Sequence, residues 1–464
     1  MIYDSILARS FSKHEQRKLG CGAFLTSLII VFTVITVFKP YLGPLRVLNL
    51  RVSLGAGLEM LRTEEILSEP QQKEITRDKK FKPICSTSEP RSDVCQMSGD
   101  IRIHGNSSTV FVAVTASGTA IFPESSSWKL RPYARKGDRA AMEGVREFTV
   151  KMVRSSSQYI PNCTHNHSVP AIVFSTGGYA GNHFHDFNDV VIPLYLTSRE
   201  FHGEVKFLIS DKEVYWVEKF KEVLKHLSKY EVTDIDGETG VHCFPRMVVG
   251  LKHHGEFKID PSRSPYSMKQ FREFLKGAYS LKRETAIKTR DGEFRRPRLL
   301  IISRRRSRSF TNEVEIVQMA RSLGFEVIVV EAFMNLATFS QLVNSCDVMM
   351  GVHGAGLTNI VFLPENAVFI QIVPLGGLEW LARTDFGEPA KAMNLRYIEY
   401  KIGENESSLW QEYPPQHQVF RDPYSIQKEG WPTFSAVYLE RQNVKLDVGR
   451  FRATLLEALN LLQM

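Results

Sequence analysis

The 464-residue sequence has no internal repeat, no low-complexity tract, and only six cysteines and five tryptophans. These absences leave a globular chain, and its length favours two domains of about 150–200 residues over one. No lysine stands where a Walker motif needs one, and a G-x-G-x-x-G count fails because position 359 is Asn. A P-loop and the common dinucleotide fingerprint are therefore excluded. Around His183, His185, Asp186 and Asp189 no further His, Cys or carboxylate stands at ligand spacing, so no metal site is expected there. The net charge of +8 is diffuse except for RRRSR at 304–308. Alone it selects no partner among anionic ligands, nucleic acids and polyanionic surfaces.

Long apolar runs are lacking too, with one exception. Leu19 to Phe38 is twenty residues without charge, about 30 Å as a helix, the thickness of a bilayer core. Arg9, Lys13, Arg17 and Lys18 precede it against Asp4 and Glu15. The positive-inside rule then keeps a short tail (1–18) in the cytoplasm and sends the rest into a lumen. The run ends in FKPYLGP without a small-x-small cleavage site, so an uncleaved single-pass anchor is expected over 19–38. Four N-x-S/T sequons, at Asn106, Asn162, Asn166 and Asn405, all lie beyond it. In an oxidising lumen, Cys85 with Cys95 and Cys163 with Cys243 are candidate disulfides, whereas Cys346, in an apolar run, is expected to be a buried thiol.

Residues 39–82 are charged and read as a stem, and the folded body starts near Pro83. Alternating segments between 99 and 150 predict strands, followed by the apolar runs AIVFST (171–176) and KFLIS (206–210). From 298 onward, strands RLLIIS, FEVIVVE, CDVMMGV and AVFIQIV alternate with helical segments. One helix is predicted from an Asn312–Glu315 capping pair, another over 338–345 with Gln341 in the capping position, and a third restarts at LTNIVFL. The pattern is a parallel sheet covered on both faces, a doubly wound domain. Val448 to Met464 is amphipathic and predicts a closing helix.

In such sheets ligands sit outside the carboxyl ends of the strands. Three loops at that edge carry chemistry: GGYAGNHFHDFND, RRRSRSFTNE and HGAGLTN. An isolated GxG reads as a steric turn. Next to guanidinium forks suited to phosphate, the same stretch reads as an anion cradle opening a helix. His185 and Asp189 stand one helical turn apart, and a carboxylate or imidazole here can take a hydroxyl proton. Asp234 and Asp236 form a D-x-D within TDIDGETG, which reads as a turn rather than a metal site.

The blocks SDVCQMSGDIRIHGNSSTVFV, VPAIVFSTGGYAGNHFHDFNDVVIPLYLTS, LLIISRRRSRSFTNEVEIV and NSCDVMMGVHGAGLTNIVFLPENAVFIQIVPLGGLEW resemble plant members of glycosyltransferase family 61. The resemblance spans roughly residues 80–464 and is strongest to the xylan arabinosyl- and xylosyltransferase branch. It implies a Golgi type II membrane glycoprotein of GT-B type: two Rossmann-like doubly wound domains facing a cleft. Their expected ranges are 83–290 for the acceptor and 291–447 for the UDP-sugar, with 448–464 closing the fold. It also implies inverting, metal-independent transfer of a pentose from UDP-arabinofuranose or UDP-xylose to xylan, with no cofactor. α-1,3-Arabinosyl transfer is the first reading; β-1,2-xylosyl transfer to xylan or an N-glycan core is the alternative.

On that reading His353, Gly354, Ala355, Gly356, Leu357, Thr358 and Asn359 cradle the donor, with Arg304 and Arg305 on the diphosphate. Glu379 holds ribose or uracil, and either Asp186 or His185 is the base. The lumenal address makes nucleic acid an unexpected partner; homo- and hetero-oligomers both stay open. The competing non-enzyme readings are a membrane-anchored carbohydrate-binding protein and a scaffold of a wall-polysaccharide complex.

Overall fold

A computed structural model describes residues 84–114, 126–288, 295–332 and 335–463. The tail, the anchor at 19–38, the stem and the expected domain boundary at 290/291 lie outside them. Among the described residues no helix is long and apolar enough to cross a membrane.

Ten strands make the first sheet: β1 (Cys85–Ser86), β2 (Val94–His104), β3 (Thr109–Val114), β4 (Ser127–Leu130), β5 (Phe148–Arg154), β6 (His165–Asn166), β7 (Ala171–Ser175), β8 (Lys206–Ser210), β9 (Thr233–Asp234) and β10 (Val241–Val249). Their order is β4-β5-β3-β2-β10-β7-β8-β9, with β1 beside β2 and β6 beside β10. β10, β7, β8 and β9 run parallel as a block, and β3 with β5 and β6 with β10 are further parallel pairs. On the other side β2 pairs antiparallel with both β10 and β3. The doubly wound pattern expected for this half is therefore confined to four strands. Pro245, which has no N–H to give a ladder, sits where the β10–β2 register shifts.

The second sheet is wholly parallel: β11 (Arg298–Ser303), β12 (Glu326–Glu331), β13 (Val348–Val352), β14 (Val368–Val373) and β15 (Arg396–Lys401), in the order β12-β11-β13-β14-β15. β13 and β14 are buried throughout, as continuous apolar runs between two helical layers require. In this sheet the strand order reverses between β11 and β13. In the parallel block of the first sheet it reverses between β7 and β10. Reversal points open crevices at the carboxyl ends of the strands.

Local chemistry adjusts the helices. Asn312 precedes the helix Glu313–Ser322 but does not cap it with its side chain. Its Oδ1 accepts from Leu446 N at 3.1 Å, and its Nδ2 donates to Leu446 O and Glu315 Oε2. The next helix, Leu336–Asn344, starts earlier than predicted because Asn335 Oδ1 accepts from the N–H groups of Ala337 and Thr338. Gln341 donates instead to the Tyr279 carbonyl. The segment after β13, Ala355–Phe362, is a 3₁₀ helix, and Val448–Gln463 is the last helix.

One hydrophobic core runs through both sheets. Phe187 meets Phe362 edge-on at 6.1 Å, and Phe184 meets Phe386 at 5.6 Å. Buried Arg272, on the helix Met268–Ala278, donates to the carbonyls of Leu363 and Met393. A second core lies beneath β2, β3 and β5. Disulfides join Cys85 to Cys95 and Cys163 to Cys243, and Cys346 is a buried free thiol. Asn106, Asn162, Asn166 and Asn405 are all exposed.

Candidate active site

The loops following β11 and β13 meet at the reversal point of the second sheet. Gly354 has φ +148°, a conformation that side-chain-bearing residues rarely adopt. A Cβ there would lie 2.7 Å from Arg308 Nη1 and 3.0 Å from Arg304 Nη1, so two guanidiniums cover this backbone. Arg308 donates to the His353 carbonyl at 2.7 Å, and Arg304 to the Ser307 carbonyl at 2.8 Å. Among the described residues neither arginine has a carboxylate within ion-pair reach. Burial, and then Arg304, brings the Arg308 pKa down to about 9. Two like charges held side by side, each half-buried, suit an anion between them.

Of the residues expected on the diphosphate, Arg304 is therefore at this backbone, and Arg305 is not brought there. Arg305 is 85% exposed and pairs with Glu331 at 2.9 Å. Its place is taken by Arg308, which lies in the same basic cluster but faces inward because its φ of +53° turns the chain.

His353 is buried, and its Nδ1 accepts from Gln371 Nε2 at 2.8 Å. Gln371 Oε1 accepts in turn from Tyr397. That chain puts the imidazole proton on Nε2, making His353 a neutral donor. Burial, Arg308 and Arg304 together lower its pKa to about 3. Gln371 was not singled out by sequence; its signal is a lone amide in the middle of an apolar strand. Of the remaining cradle residues, Ala355 and Gly356 are half-buried and open the 3₁₀ helix. Leu357 and Thr358 are fully buried, and Asn359 nearly so. Glu379 starts the helix Glu379–Ala382, near the Lys401 ammonium at 3.5 Å.

The loop after β7 supplies the opposite wall. Asn182 caps the short helix His183–His185, which passes into a π-helical turn, Asp186–Val191. Widened turns of this kind recur at functional sites. The π turn places Asp189 Oδ2 3.0 Å from His185 Nδ1. Asp189 also accepts from Tyr133 Oη, Arg135 Nη1 and Asn188 Nδ2. Although burial pushes its pKa up, Arg135 and His185 more than offset this and hold its carboxyl well below the usual range. An imidazole anchored through Nδ1 to a fixed carboxylate leaves Nε2 as its proton-accepting nitrogen. Asp186 is differently employed. It accepts from Lys219 Nζ at 2.6 Å and from Gly181 N at 2.9 Å, so it ties its own loop to the helix Val214–Lys219.

The two walls touch. His183 Nε2 lies 3.1 Å from Asn359 Oδ1, so the HGAGLTN and NHFHDFND stretches form one site. Phe386 packs on the His353 ring at 5.6 Å as well as on Phe184. The D-x-D lies elsewhere: Asp236 Oδ2 accepts from Asp211 N at 2.7 Å, and Asp234 is 4.0 Å from Lys212.

Residues 241–370, which carry β10 through the first half of β14, match the family model described as Glycosyltransferase 61. A β-1,2-xylosyltransferase of Oryza sativa subsp. japonica, XYXT1, is 40% identical over 464 residues, covering 96% of this chain and 97% of that protein. The chain belongs to the glycosyltransferase 61 family. The rice α-1,3-arabinosyltransferase XAT3 is 49% identical over 387 residues, 82% of this chain. This family member spans only 65% of XAT3's length. The xylan glycosyltransferase MUCI21 of Arabidopsis thaliana is 38% identical over 82% of this chain and 80% of its own.

Proposed function

We propose that this glycosyltransferase 61 protein is an inverting pentosyltransferase of the Golgi lumen, anchored as a type II membrane protein, that transfers arabinofuranose or xylose from a UDP-sugar to xylan. One observation carries the reading: two arginines without a carboxylate partner among the described residues cover the Gly354 backbone at one reversal point, and the loop bearing the His185–Asp189 pair at the other touches the same segment through His183 and Asn359. The arginines and His353 receive the diphosphate and stabilise it as it departs. His185 Nε2 takes the acceptor hydroxyl's proton as the oxygen attacks the anomeric carbon from the opposite side, and Asp189 stabilises the imidazolium formed. Because guanidiniums supply the positive charge, the reaction is metal-independent, and the two halves act as acceptor and donor sides of a GT-B-type cleft.

Higher identity to the arabinosyltransferase favours α-1,3-arabinosyl transfer, and the full-length match to XYXT1 favours β-1,2-xylosyl transfer as the second reading. The acceptor class follows the xylan named for MUCI21. The test is to give the purified full-length protein both UDP-pentoses with xylo-oligosaccharides, with and without EDTA, and to read products by linkage and anomeric analysis. An EDTA-insensitive pentosyl product of inverted configuration is expected. Oligosaccharide binding without any UDP binding would instead make the chain a carbohydrate-binding protein.

A further inference from the structure

Outside the groups assigned above, one buried carboxyl is held by no protein partner among the described residues. Asp385 lies in a second π-helical turn, Arg383–Gly387, between β14 and β15. It is only 7% exposed, and no hydrogen bond or ion pair to the other described residues holds its carboxyl. Its neighbour Phe386 wedges between the His353 ring and Phe184, so the turn stands at the join of the two walls. The charges of Arg135 and Arg91 act on Asp385. Both arginines bond other carboxylates: Arg135 holds Asp138 and Asp189, and Arg91 pairs with Glu256. Burial nonetheless prevails over those charges and lifts the Asp385 pKa to about 7.

A buried polar group without a partner calls for one. A carboxylate repels phosphate, so Asp385 cannot serve the diphosphate end of a nucleotide-sugar; Arg304 and Arg308 do. A sugar offers hydroxyl donors, and the end of the donor nearest the His185–Asp189 pair is the sugar that moves. We infer that Asp385 is a specificity-determining residue that accepts a hydrogen bond from a hydroxyl of the transferred pentose. This rests on the UDP-pentose reading above.

The test measures the affinity of the full-length protein for UDP, UDP-xylose and UDP-arabinofuranose by calorimetry, for wild type, Asp385→Ala and Asp385→Asn. UDP affinity should stay within about twofold, while affinity for the preferred UDP-pentose falls about 10- to 100-fold in the alanine variant and less in the asparagine variant. Should the alanine variant fail to fold, the near-isosteric asparagine variant carries the comparison. Equal losses for UDP and UDP-pentose would overturn the inference by pointing to the nucleoside or to the fold. Unchanged affinities would overturn it as well, including the case in which only kcat falls, which points to proton transfer. A wild type that binds no UDP removes the parent reading and this one with it, and is recognised before any variant is made.

Discussion

The same carboxyl should make the protein less stable as pH rises, and Asp385→Asn should abolish that loss. Burial raises the Asp385 pKa from 3.8 to about 7, against Arg135 and Arg91, which lower it. In this window the native state keeps a proton that the unfolded chain has released. Unfolding free energy then falls with pH. Below pH 3.8 both states are protonated and nothing is lost; above about 7 both are ionised and the loss is complete. The span from 3.8 to 7 is about 3.2 units, and at about 1.4 kcal/mol per unit the full loss approaches ~4 kcal/mol. An amide of the same shape never ionises. The variant should therefore match wild type near pH 4 and gain on it steadily up to pH 7. His253 and His353, both held near 3 chiefly by burial, are common to the two proteins and cancel in the difference. Thermal unfolding of the full-length chain at pH 5, 6.5 and 8 is the assay. At about 1–2 °C per kcal/mol for a chain of this size, the midpoints should differ by about 4–8 °C at pH 8. Equal midpoints at all three pH values, or a less stable variant at pH 8, would refute the reasoning. A variant that gains stability while losing donor affinity would show the trade-off expected of a buried functional group.

Arg308→Ala should weaken UDP binding about 10- to 100-fold by calorimetry, whereas Arg305→Ala, at an exposed ion pair, should change it less than about twofold. His185→Ala should lower kcat by about 10²- to 10⁴-fold with UDP affinity retained. Asp186→Asn should keep turnover but lower stability by about 1–3 kcal/mol, because Lys219 and Gly181 lose their charged acceptor; a variant of Asp186 that folds well yet cannot turn over would contradict the assignment of His185. Replacing Cys163 and Cys243 by serine opens a loop with a sequence separation of 80, and denaturant unfolding should show a loss of about 4–5 kcal/mol.

The second sheet was legible because each of its strands is a short apolar run punctuated by helical segments, and strand β11 falls on RLLIIS as predicted. In the first sheet AIVFS and KFLIS are strands as predicted, but the strand order was not legible, because its centre is the pairing of β2 with β10, two segments some 140 residues apart in sequence whose match no local pattern announces. The site followed the same divide. GVHGAG and the basic loop were visible as letters at a strand's carboxyl end. Which arginines of the cluster cover Gly354 was not legible, because that is set by the path of the folded loop. Asp189 was visible beside His185, but its grip by Tyr133 and Arg135 comes from a distant segment. Asp385 has no local signal at all, and only the fold shows that its carboxyl is buried.

The core that passes without interruption from one sheet to the other constrains how donor preference can be altered. Phe184, Phe187 and Phe257 on one side interlock with Phe362 and Phe386 on the other. A hybrid built by grafting the second half of a relative at residue 290 would join two rings of aromatic side chains shaped for different partners. Overpacked or voided cores of this kind lose about 1–3 kcal/mol per misfit. Exchanges limited to the segment from Arg304 to Arg308 and to position 385, keeping Phe386, would leave that seam as it is. On the proposed function, sugar choice is therefore open to short exchanges around the site and resistant to wholesale recombination of the two halves.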